Sequence, residues 1–328
     1  MRETNENPPF SSYPTHFRFS HCKFLSLLPT APAGPGQITL GPDHCRVALN
    51  DPPETGGYLS LPTAPGFGVE LADDLETRFP HIPGSWAAPW SAEMAVPDRL
   101  VALAFDDGPK SQYTFAAPLL KECGFNATFY ITEGLRFLVD KERYMTWEEV
   151  AALDRDGFEI GNHTQYHKNV TTQSPDELRA DIDHIDQRCR EYSITHPTTF
   201  CYPGYSNGPE AVAVLKTRGF RFARRGTAPE FDYDKDGGRG PAYDPEIHNL
   251  LLIPTTGASG PQWDFDDFLW ALDQARDGRI AVLTFHGVPD LDHPWVHTDP
   301  DQFERYVAHL RDNKFTVVAL RDLDNYIN

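Results

Sequence analysis

The stretch Leu100–Pro109, LVALAFDDGP, constrains the fold more than any other part of the chain. Its apolar start, LVALAF, has the length of a fully buried strand, about 4–8 residues. Two adjacent carboxylates, Asp106 and Asp107, follow, and the Gly-Pro after them stops a strand. Successive side chains of a strand point to opposite faces, so the two acids can have different roles. A buried strand that ends in acids is typical of active sites in α/β proteins, although a solvated turn has the same pattern.

Two further apolar strands end in histidines. The segment GNHTQYH carries His163 and His167, which share one face if the segment is helical, and the segment AVLTFHG ends in His286. Imidazole is the commonest metal ligand in proteins. Two imidazoles and a carboxylate leave one coordination position open for water, as in hydrolytic zinc sites. Surface or core histidines are the ordinary alternative for each segment alone, but three such strand ends favour one shared site.

Strand and helix patterns alternate from Asp98 to the end of the chain. Strands are predicted at Leu100–Phe105, Ala127–Ile131, Phe158–Gly161, Thr199–Tyr202, Phe220–Ala223, Asn249–Pro254, Ile280–Phe285 and Phe315–Leu320. Helices are predicted at Thr114–Glu122, Thr146–Asp156, Pro175–Tyr192, Pro209–Arg218, Asp264–Arg276 and Asp301–Asn313, and Ser174 to Glu177 have the pattern of a capping box. This alternation indicates an α/β fold with a parallel sheet, whose strand ends meet at one rim.

The chain divides by composition into two parts. Residues 1–97 are rich in proline and glycine, which predicts an irregular, partly flexible N-terminal extension with one possible strand at Gly57–Leu61. Residues 98–328 carry the strand and helix patterns and are predicted to form one domain.

Charge and cysteine content limit the classes of binding partner and the cellular compartment that we expect for this protein. The net charge of −19 argues against nucleic acid and anionic membranes as partners, because both attract basic surfaces. The five cysteines include no C-x-x-C pair and indicate reduced thiols. No stretch approaches the ~18 apolar residues of a membrane span, and no convincing signal peptide is present. These features predict a cytoplasmic protein, and they leave its oligomeric state open.

Three motifs in order resemble those of the polysaccharide deacetylases, the carbohydrate esterase type with a NodB-homology domain. The family motif T-F-D-D-G-P corresponds to Ala104–Pro109, H-[ST]-x-x-H to His163–His167, and L-x-x-H to Leu283–His286. The resemblance covers roughly residues 97–328 and implies an irregular (β/α) barrel of about seven strands.

The resemblance also implies roles for the residues of these motifs. Asp107, His163 and His167 are the implied ligands of a divalent metal, zinc or alternatively cobalt or nickel. The metal is expected to lower the pKa of a bound water from about 15.7 towards 7. Asp106 is the implied general base, and His286 is the implied general acid.

The third family motif, R-P-P-Y, is altered in this chain to Cys201-Tyr202-Pro203-Gly204. Cys201 stands where the family has the arginine that orients the catalytic aspartate, and Arg224 or Arg225 is a candidate replacement. The candidate contacts to substrate or oxyanion are Pro203, Gly204, Tyr205 and Arg225. The family's fourth motif has no clear match; its candidates are Trp263, Asp264, Asp266 and Asp267, of which Asp264 and Asp267 also suit a helix N-terminus.

The function predicted from these motifs is metal-dependent hydrolysis of carbon–nitrogen bonds other than peptide bonds. The favoured reaction is N-deacetylation of an amino sugar or polysaccharide in carbohydrate metabolism. Two alternatives stay open: an amidase that opens a small cyclic amide, as allantoinase-like relatives do, and a carbohydrate-binding protein without turnover. The partner is accordingly a carbohydrate or a small amide.

Overall fold

A computed structural model describes residues 37–39, 46–49, 69–70 and 96–327 of the chain. The first three ranges are strands β1 (Gln37–Thr39), β2 (Arg46–Leu49) and β3 (Val69–Glu70), which pair antiparallel in that order. Residues 96–327 belong to one compact unit. The predicted strand near Gly57 lies outside the described residues, and the domain boundary at residue 97 stays a prediction.

The main sheet consists of parallel strands, as the alternating pattern predicts. Its strands are β4 (Leu100–Phe105), β5 (Thr128–Ile131), β6 (Glu159–Asn162), β7 (Thr199–Cys201), β8 (Phe222–Arg224), β9 (Gly257–Ala258), β10 (Ala281–Phe285) and β11 (Thr316–Val318). The order is β8-β7-β6-β5-β4-β10-β9, with β11 also paired to β4. Every pair in this sheet is parallel.

The sheet curls until one short segment spans the space between its two edges. Ile253 forms a parallel bridge with Arg224 of β8. Five residues further on, Ala258 of β9 pairs with Thr284 of β10. The curled parallel sheet confirms the predicted irregular (β/α) barrel.

Helices follow most strands and cover the outside of the sheet. They span Ala117–Glu122, Trp147–Arg155, Pro175–Glu191, Pro209–Arg218, Tyr233–Asp236, Phe265–Leu272 and Pro300–Asp312, with a π-helical turn at Gln112–Ala116. The predicted capping box is present, since the Ser174 side chain accepts from the N–H of Glu177 and the Glu177 carboxylate accepts from the N–H of Ser174. Among the described residues, no helix has both the length and the apolar character needed to cross a membrane.

Strand β4 lies between two apolar cores, which explains its unbroken run of apolar residues. Val101, Leu103 and Phe105 belong to one core cluster, and the alternate residues of the strand belong to a second cluster. That second cluster also contains Tyr130 and Cys201. Because side chains alternate along a strand, the residue after Phe105 continues on the second side. Asp106 therefore faces Tyr130 and Cys201.

One predicted strand is wrong, and one observed strand was not predicted. Asn249–Pro254 forms no strand; it contains a 2.9 Å turn hydrogen bond from Leu252 N to Asn249 O and the single bridge at Ile253. The strand on this side is Gly257–Ala258. The Trp263 ring lies where a Cβ on Gly257 would project, 2.4 Å away, so the site needs glycine, which carries no strand signal.

Candidate active site

The two acids at the end of β4 separate because the backbone turns between them. Asp107 and Gly108 both have left-handed φ angles, of 72° and 73°. The buried side chain of Gln112 donates to the carbonyl oxygens of Asp106, at 2.5 Å, and of His286, at 3.2 Å. Gln112, which carries no motif signal, thus links the ends of β4 and β10. The turn directs the Asp107 carboxylate to a different neighbourhood from that of Asp106.

The histidine pair lies on an irregular turn and not on a helix, so its convergence does not come from helical spacing. Thr164 and His167 have φ angles of 64° and 53°. Asn162 holds the turn: its Oδ1 accepts from the N–H of Thr164 at 2.9 Å, and its amide donates to Asp186 Oδ1 at 3.0 Å. Residues in such sparsely populated conformations often cluster at functional sites. The turn points both imidazoles at Asp107.

Asp107, His163 and His167 bring three potential ligand atoms together. Asp107 Oδ1 lies 3.4 Å from His163 Nε2 and 3.3 Å from His167 Nε2. Asp107 Oδ1 is buried and hydrogen-bonded to no group in the described part of the chain. His163 Nδ1 lies 2.8 Å from the carbonyl oxygen of Cys201, which leaves Nε2 free as a ligand. An orphaned carboxylate oxygen facing two imidazoles fits a divalent cation.

The charges in this cluster depend on one another. Burial raises the pKa of Asp107, but the neighbouring His163 and His167 rings lower it more, so it lies well below its ordinary value. Burial lowers the pKa of His163, but Asp107 and Asp106 raise it more, so it lies above its ordinary value. The metal-free site therefore favours an ionised carboxylate beside a histidine that readily holds a proton.

A second set of potential ligands shares His163 with the first. Asp106, His163 and Cys201 also place their potential ligand atoms within 4.8 Å of one another. Both carboxylate oxygens of Asp106, however, accept from Arg224 Nη2, each at 2.6 Å. Burial raises the pKa of the Cys201 thiol well above its ordinary value. A cation bound by Asp106, His163 and Cys201 must displace a guanidinium and a thiol proton. The set that contains Asp107 is therefore the better candidate for a metal site.

Asp106 and His286 lie beside the cluster. His286 Nε2 is 3.9 Å from Asp106 Oδ2 and 3.8 Å from Asp107 Oδ2. Burial raises the pKa of Asp106, but the Arg224 guanidinium, with help from His163 and His286, lowers it more. The site thus places an imidazole close to an ionised carboxylate.

The altered third motif forms a short 3₁₀ turn, Pro203–Tyr205, in which Gly204 has a φ of 54°. The N–H of Tyr205 donates to the carbonyl of Tyr202 at 2.9 Å, and the Tyr205 ring lies 5.5 Å from the Arg224 guanidinium. Pro203 is buried, whereas Gly204 is exposed and so its backbone is accessible.

The arginine that reaches Asp106 is Arg224, and Arg225 points elsewhere. Neighbouring residues at a strand end direct their side chains to opposite sides. Arg225 donates to the carbonyl oxygens of Leu252 and Ala228 and to Glu230. The prediction that Arg225 contacts substrate or oxyanion is therefore not supported by its position.

The candidates for the fourth motif lie around the start of a helix. Asp264 is the N-cap of Phe265–Leu272, and its side chain accepts from the N–H groups of Asp266 and Asp267. Asp267 Oδ1 accepts from Arg239 Nε at 2.6 Å. Trp263 is buried in the larger core cluster. Capping explains the two acids that the sequence left ambiguous.

One family model and several curated proteins are similar to part of this chain. Residues 93–223 match the family model described as "Polysaccharide deacetylase". A peptidoglycan-N-acetylglucosamine deacetylase of Bacillus cereus is 33% identical over 123 residues, which cover 37% of this chain and 52% of the relative. The peptidoglycan-N-acetylmuramic acid deacetylase PdaA of Bacillus subtilis is 26% identical over 120 residues, or 36% of this chain and 42% of the relative. The chain thus spans about half the length of these curated relatives.

Solved deacetylase structures are also similar to part of this chain. The peptidoglycan deacetylase PdaC from Bacillus subtilis has 19% sequence identity and a TM-score of 0.46, with 70% of this chain and 91% of that chain covered. A structure described as T48 deacetylase with substrate has 18% identity and a TM-score of 0.47, with 70% and 93% covered. The family model ends at residue 223, so Arg224 and His286 lie beyond the matched region.

Proposed function

We propose that this chain, whose residues 93–223 match the polysaccharide deacetylase family model, is a metal-dependent hydrolase that removes N-acetyl groups from amino sugars of a glycan. One observation carries the proposal. The buried Asp107 Oδ1 lacks a hydrogen-bond partner among the described residues and lies 3.3 and 3.4 Å from two imidazole nitrogens. A buried, unsatisfied carboxylate oxygen is costly unless a cation or water completes it.

Asp107, His163 and His167 are the residues that hold the metal in this proposal. Zinc fits a set of two imidazoles and one carboxylate, and cobalt or nickel are alternatives. When bound, the metal polarises the acetyl carbonyl and acidifies the attacking water. The Cys201 carbonyl, 2.8 Å from His163 Nδ1, holds that ring with Nε2 directed into the site.

Asp106 and His286 divide the proton transfers. Asp106 accepts the proton of the attacking water, whose oxygen bonds to the acetyl carbon, because its lowered pKa keeps it ionised. His286 delivers a proton to the sugar nitrogen as the carbon–nitrogen bond breaks, which releases acetate and a free amine. The backbone N–H of Gly204, on an exposed turn, is the candidate donor to the developing oxyanion.

The substrates named for the two curated relatives guide the substrate assignment. Both are peptidoglycan deacetylases, one for N-acetylglucosamine and one for N-acetylmuramic acid. We extend to this chain only the common feature, an N-acetylated amino sugar. A cytoplasmic location, which implies a soluble fragment as substrate, belongs to the same proposal.

Acetate release tests the function. The purified protein is incubated with N-acetylglucosamine oligomers, peptidoglycan fragments and a cyclic ureide, first as isolated, then after chelation, then after zinc, cobalt or nickel is restored. We expect acetate from an acetylated sugar, loss after chelation and recovery with metal. Turnover of the ureide alone would favour the cyclic-amidase alternative, and sugar binding without turnover in any metal would favour a binding protein.

A further inference from the structure

An exposed tryptophan lies on the loop that follows strand β10 and the proposed general acid, His286. Trp295 is 61% exposed. Tryptophan is well buried on average in soluble proteins, and its large amphipathic ring is enriched at binding surfaces. The ring of Trp295 is therefore a candidate for contact with substrate, provided that the loop holds it in place and that the neighbouring surface fits a ligand.

The loop does hold the ring in place. Trp295 belongs to a short 3₁₀ turn, Pro294–Val296, and its ring packs against that of His293 with 5.3 Å between the two centroids. The buried Asp290 fixes His293 in turn: its Oδ1 accepts from the N–H of His293 at 2.9 Å and lies 3.3 Å from the ring nitrogen Nδ1. An aromatic side chain that is already ordered loses little conformational freedom when a ligand stacks on it.

A cavity of about 150 Å³ adjoins Trp295. Its lining includes the aromatic residues Tyr233, Trp263 and Trp295 and the amide of Gln262. None of the described residues that line it carries a charged side chain. Aromatic surface combined with a few polar groups is typical of sites for small ligands. This lining fits the apolar face of a neutral sugar, whose hydroxyls can exchange hydrogen bonds with an amide.

The cavity depends on a glycine between the two loops that form it. A Cβ at Gly260 would lie 2.9 Å from both the carbonyl oxygen of Trp295 and the hydroxyl of Tyr233, which is too close for either atom to stay in place. The Tyr233 hydroxyl itself lies 3.5 Å from that carbonyl oxygen. The loop after β8 and the loop after β10 therefore meet at Gly260, with one aromatic residue from each.

Strand pairing connects this cavity with the proposed catalytic residues. Ala258 of β9 pairs with Thr284 of β10, and the N–H of Ser259 donates to the carbonyl of Thr284 at 2.9 Å. Gly260 comes directly after this contact, and His286 comes directly after β10. Since neighbouring strands lie about 4.8 Å apart, the cavity begins close to the proposed general acid.

We propose that the cavity between Trp295 and Tyr233 is a subsite for a neutral pyranose ring, the sugar next to the N-acetylated sugar that is hydrolysed. The inference rests on the proposed function, because it gives that reaction a preference for oligosaccharides over a single sugar. The neighbouring sugar stacks on Trp295, and the Gln262 amide lies in the same cavity to meet its hydroxyls. The subsite contributes affinity and takes no part in breaking the carbon–nitrogen bond.

The test measures acetate release from N-acetylglucosamine oligomers of one to six sugars by the zinc-loaded protein. The variants are Trp295→Ala, Trp295→Phe and the control Ile247→Ala. Ile247 is also an exposed apolar residue, at 73%, and the nearby Tyr243 bridges to Ile280, at the end of β10 opposite to His286. We expect the wild-type kcat/KM to rise at least about tenfold between the single sugar and the oligomers that reach the cavity.

Trp295→Ala should raise KM for those longer oligomers about tenfold, while kcat and zinc content stay within about twofold of the wild type, because the lost contact is made equally before and during the reaction. Trp295→Phe should recover most of the affinity, since it keeps an aromatic ring. Ile247→Ala should match the wild type on every substrate. Wild-type KM for all oligomers in Trp295→Ala, or turnover that does not depend on oligomer length, would overturn the subsite.

Calorimetric titration with the N-acetylglucosamine tetramer separates the subsite from the reaction. It uses zinc-loaded Asp106→Asn, in which turnover is expected to be slow, with and without Trp295→Ala. We expect about tenfold weaker binding when Trp295 is absent. Equal binding by the two proteins would overturn the subsite even if the wild type releases acetate. A wild type that releases no acetate from any oligomer would instead refute the proposed function, and binding that depends on Trp295 would still support the subsite.

Discussion

Glu159 begins strand β6 and Asp107 follows strand β4, so these two buried carboxylates lie at opposite ends of parallel strands. Glu159 is fully used: its oxygens accept from the hydroxyls of Thr128 and Thr199, both at 2.7 Å, and from the N–H of Arg321 at 2.9 Å. Asp107 keeps Oδ1 without such a partner among the described residues. Both carboxylates are buried, but of the two only Asp107 has an oxygen without a hydrogen-bond partner in the described part of the chain.

The comparison shows how one sheet separates stability from chemistry. Strand starts in barrels of this kind serve stability, whereas side chains at the carboxyl ends converge on a site. Glu159 ties three parts of the chain together through satisfied hydrogen bonds. Asp107 keeps an oxygen that lacks a hydrogen-bond partner among the described residues, and we propose that a cation binds it. Burial alone therefore does not mark a functional acid; Asp107 differs from Glu159 because its unsatisfied oxygen also faces two imidazole nitrogens.

The largest effect is expected from removing a ligand at the Asp107 end. His163→Ala should abolish stoichiometric zinc and lower kcat/KM by about 10³-fold or more, because polarisation by the metal supplies several kcal/mol. His196→Ala, at an exposed histidine, is the matched control and should keep both properties. Elemental analysis and acetate release measure the two effects. Unchanged zinc and activity in His163→Ala would defeat the metal assignment.

The adjacent acids should separate metal binding from proton transfer. Asp106→Asn should retain zinc but lower kcat about 10²–10⁴-fold, the usual contribution of a positioned base. Asp107→Asn should lose zinc along with activity. Zinc content measured beside kcat for both variants checks this division. Equal loss of zinc in both would show that the two acids share one role.

At the other end of the sheet, Glu159→Ala should affect stability and leave catalysis intact. The substitution removes the acceptor of three hydrogen bonds, which the hydroxyls of Thr128 and Thr199 and the N–H of Arg321 donate. Each buried donor left unsatisfied costs about 1–3 kcal/mol. Chemical denaturation should show a lower free energy of unfolding, while kcat per folded molecule stays within about twofold. A catalytic defect without lost stability would remove the contrast with Asp107.

The smallest effect is a pH dependence of metal affinity. In the metal-free protein the pKa of His163 is raised above 6.5, so the ring holds its proton to higher pH than a free imidazole. Metal binds only the deprotonated ring, and protons therefore compete below that raised pKa. Zinc affinity, measured by competition with a chelator between about pH 8 and about pH 5, should fall as the pH drops through the raised pKa and approach a tenfold loss per pH unit below it. A flat affinity over this interval would contradict the site.

Strand-end motifs predicted the core of the candidate site well. Asp107, His163 and His167 each follow an apolar strand within a short recognisable motif. A parallel sheet brings the carboxyl ends of its strands to one rim, independently of the loop conformations. The structure accordingly places their ligand atoms within 4.8 Å of one another. Their role as ligands stays a prediction.

Features that depend on three-dimensional neighbours were harder to predict. The pairing of β7 with β8 determines that Arg224, and not Arg225, lies beside Cys201 and reaches Asp106. The sequence of a single strand does not reveal which residues of the neighbouring strand it pairs with. Gln112 donates hydrogen bonds to two backbone carbonyl groups, and such contacts leave no motif in the sequence. The turn that carries His163 and His167 depends on Asn162, whose partners lie on the distant helix Pro175–Glu191.

Anomalous diffraction from zinc-soaked crystals, recorded at energies on both sides of the zinc absorption edge, would locate the proposed metal independently of activity. We expect one anomalous peak within coordination distance of Asp107, His163 and His167, with Asp106 still paired to Arg224. A peak between Asp106, His163 and Cys201, or no peak beside Asp107 at saturating zinc, would contradict the proposed metal site.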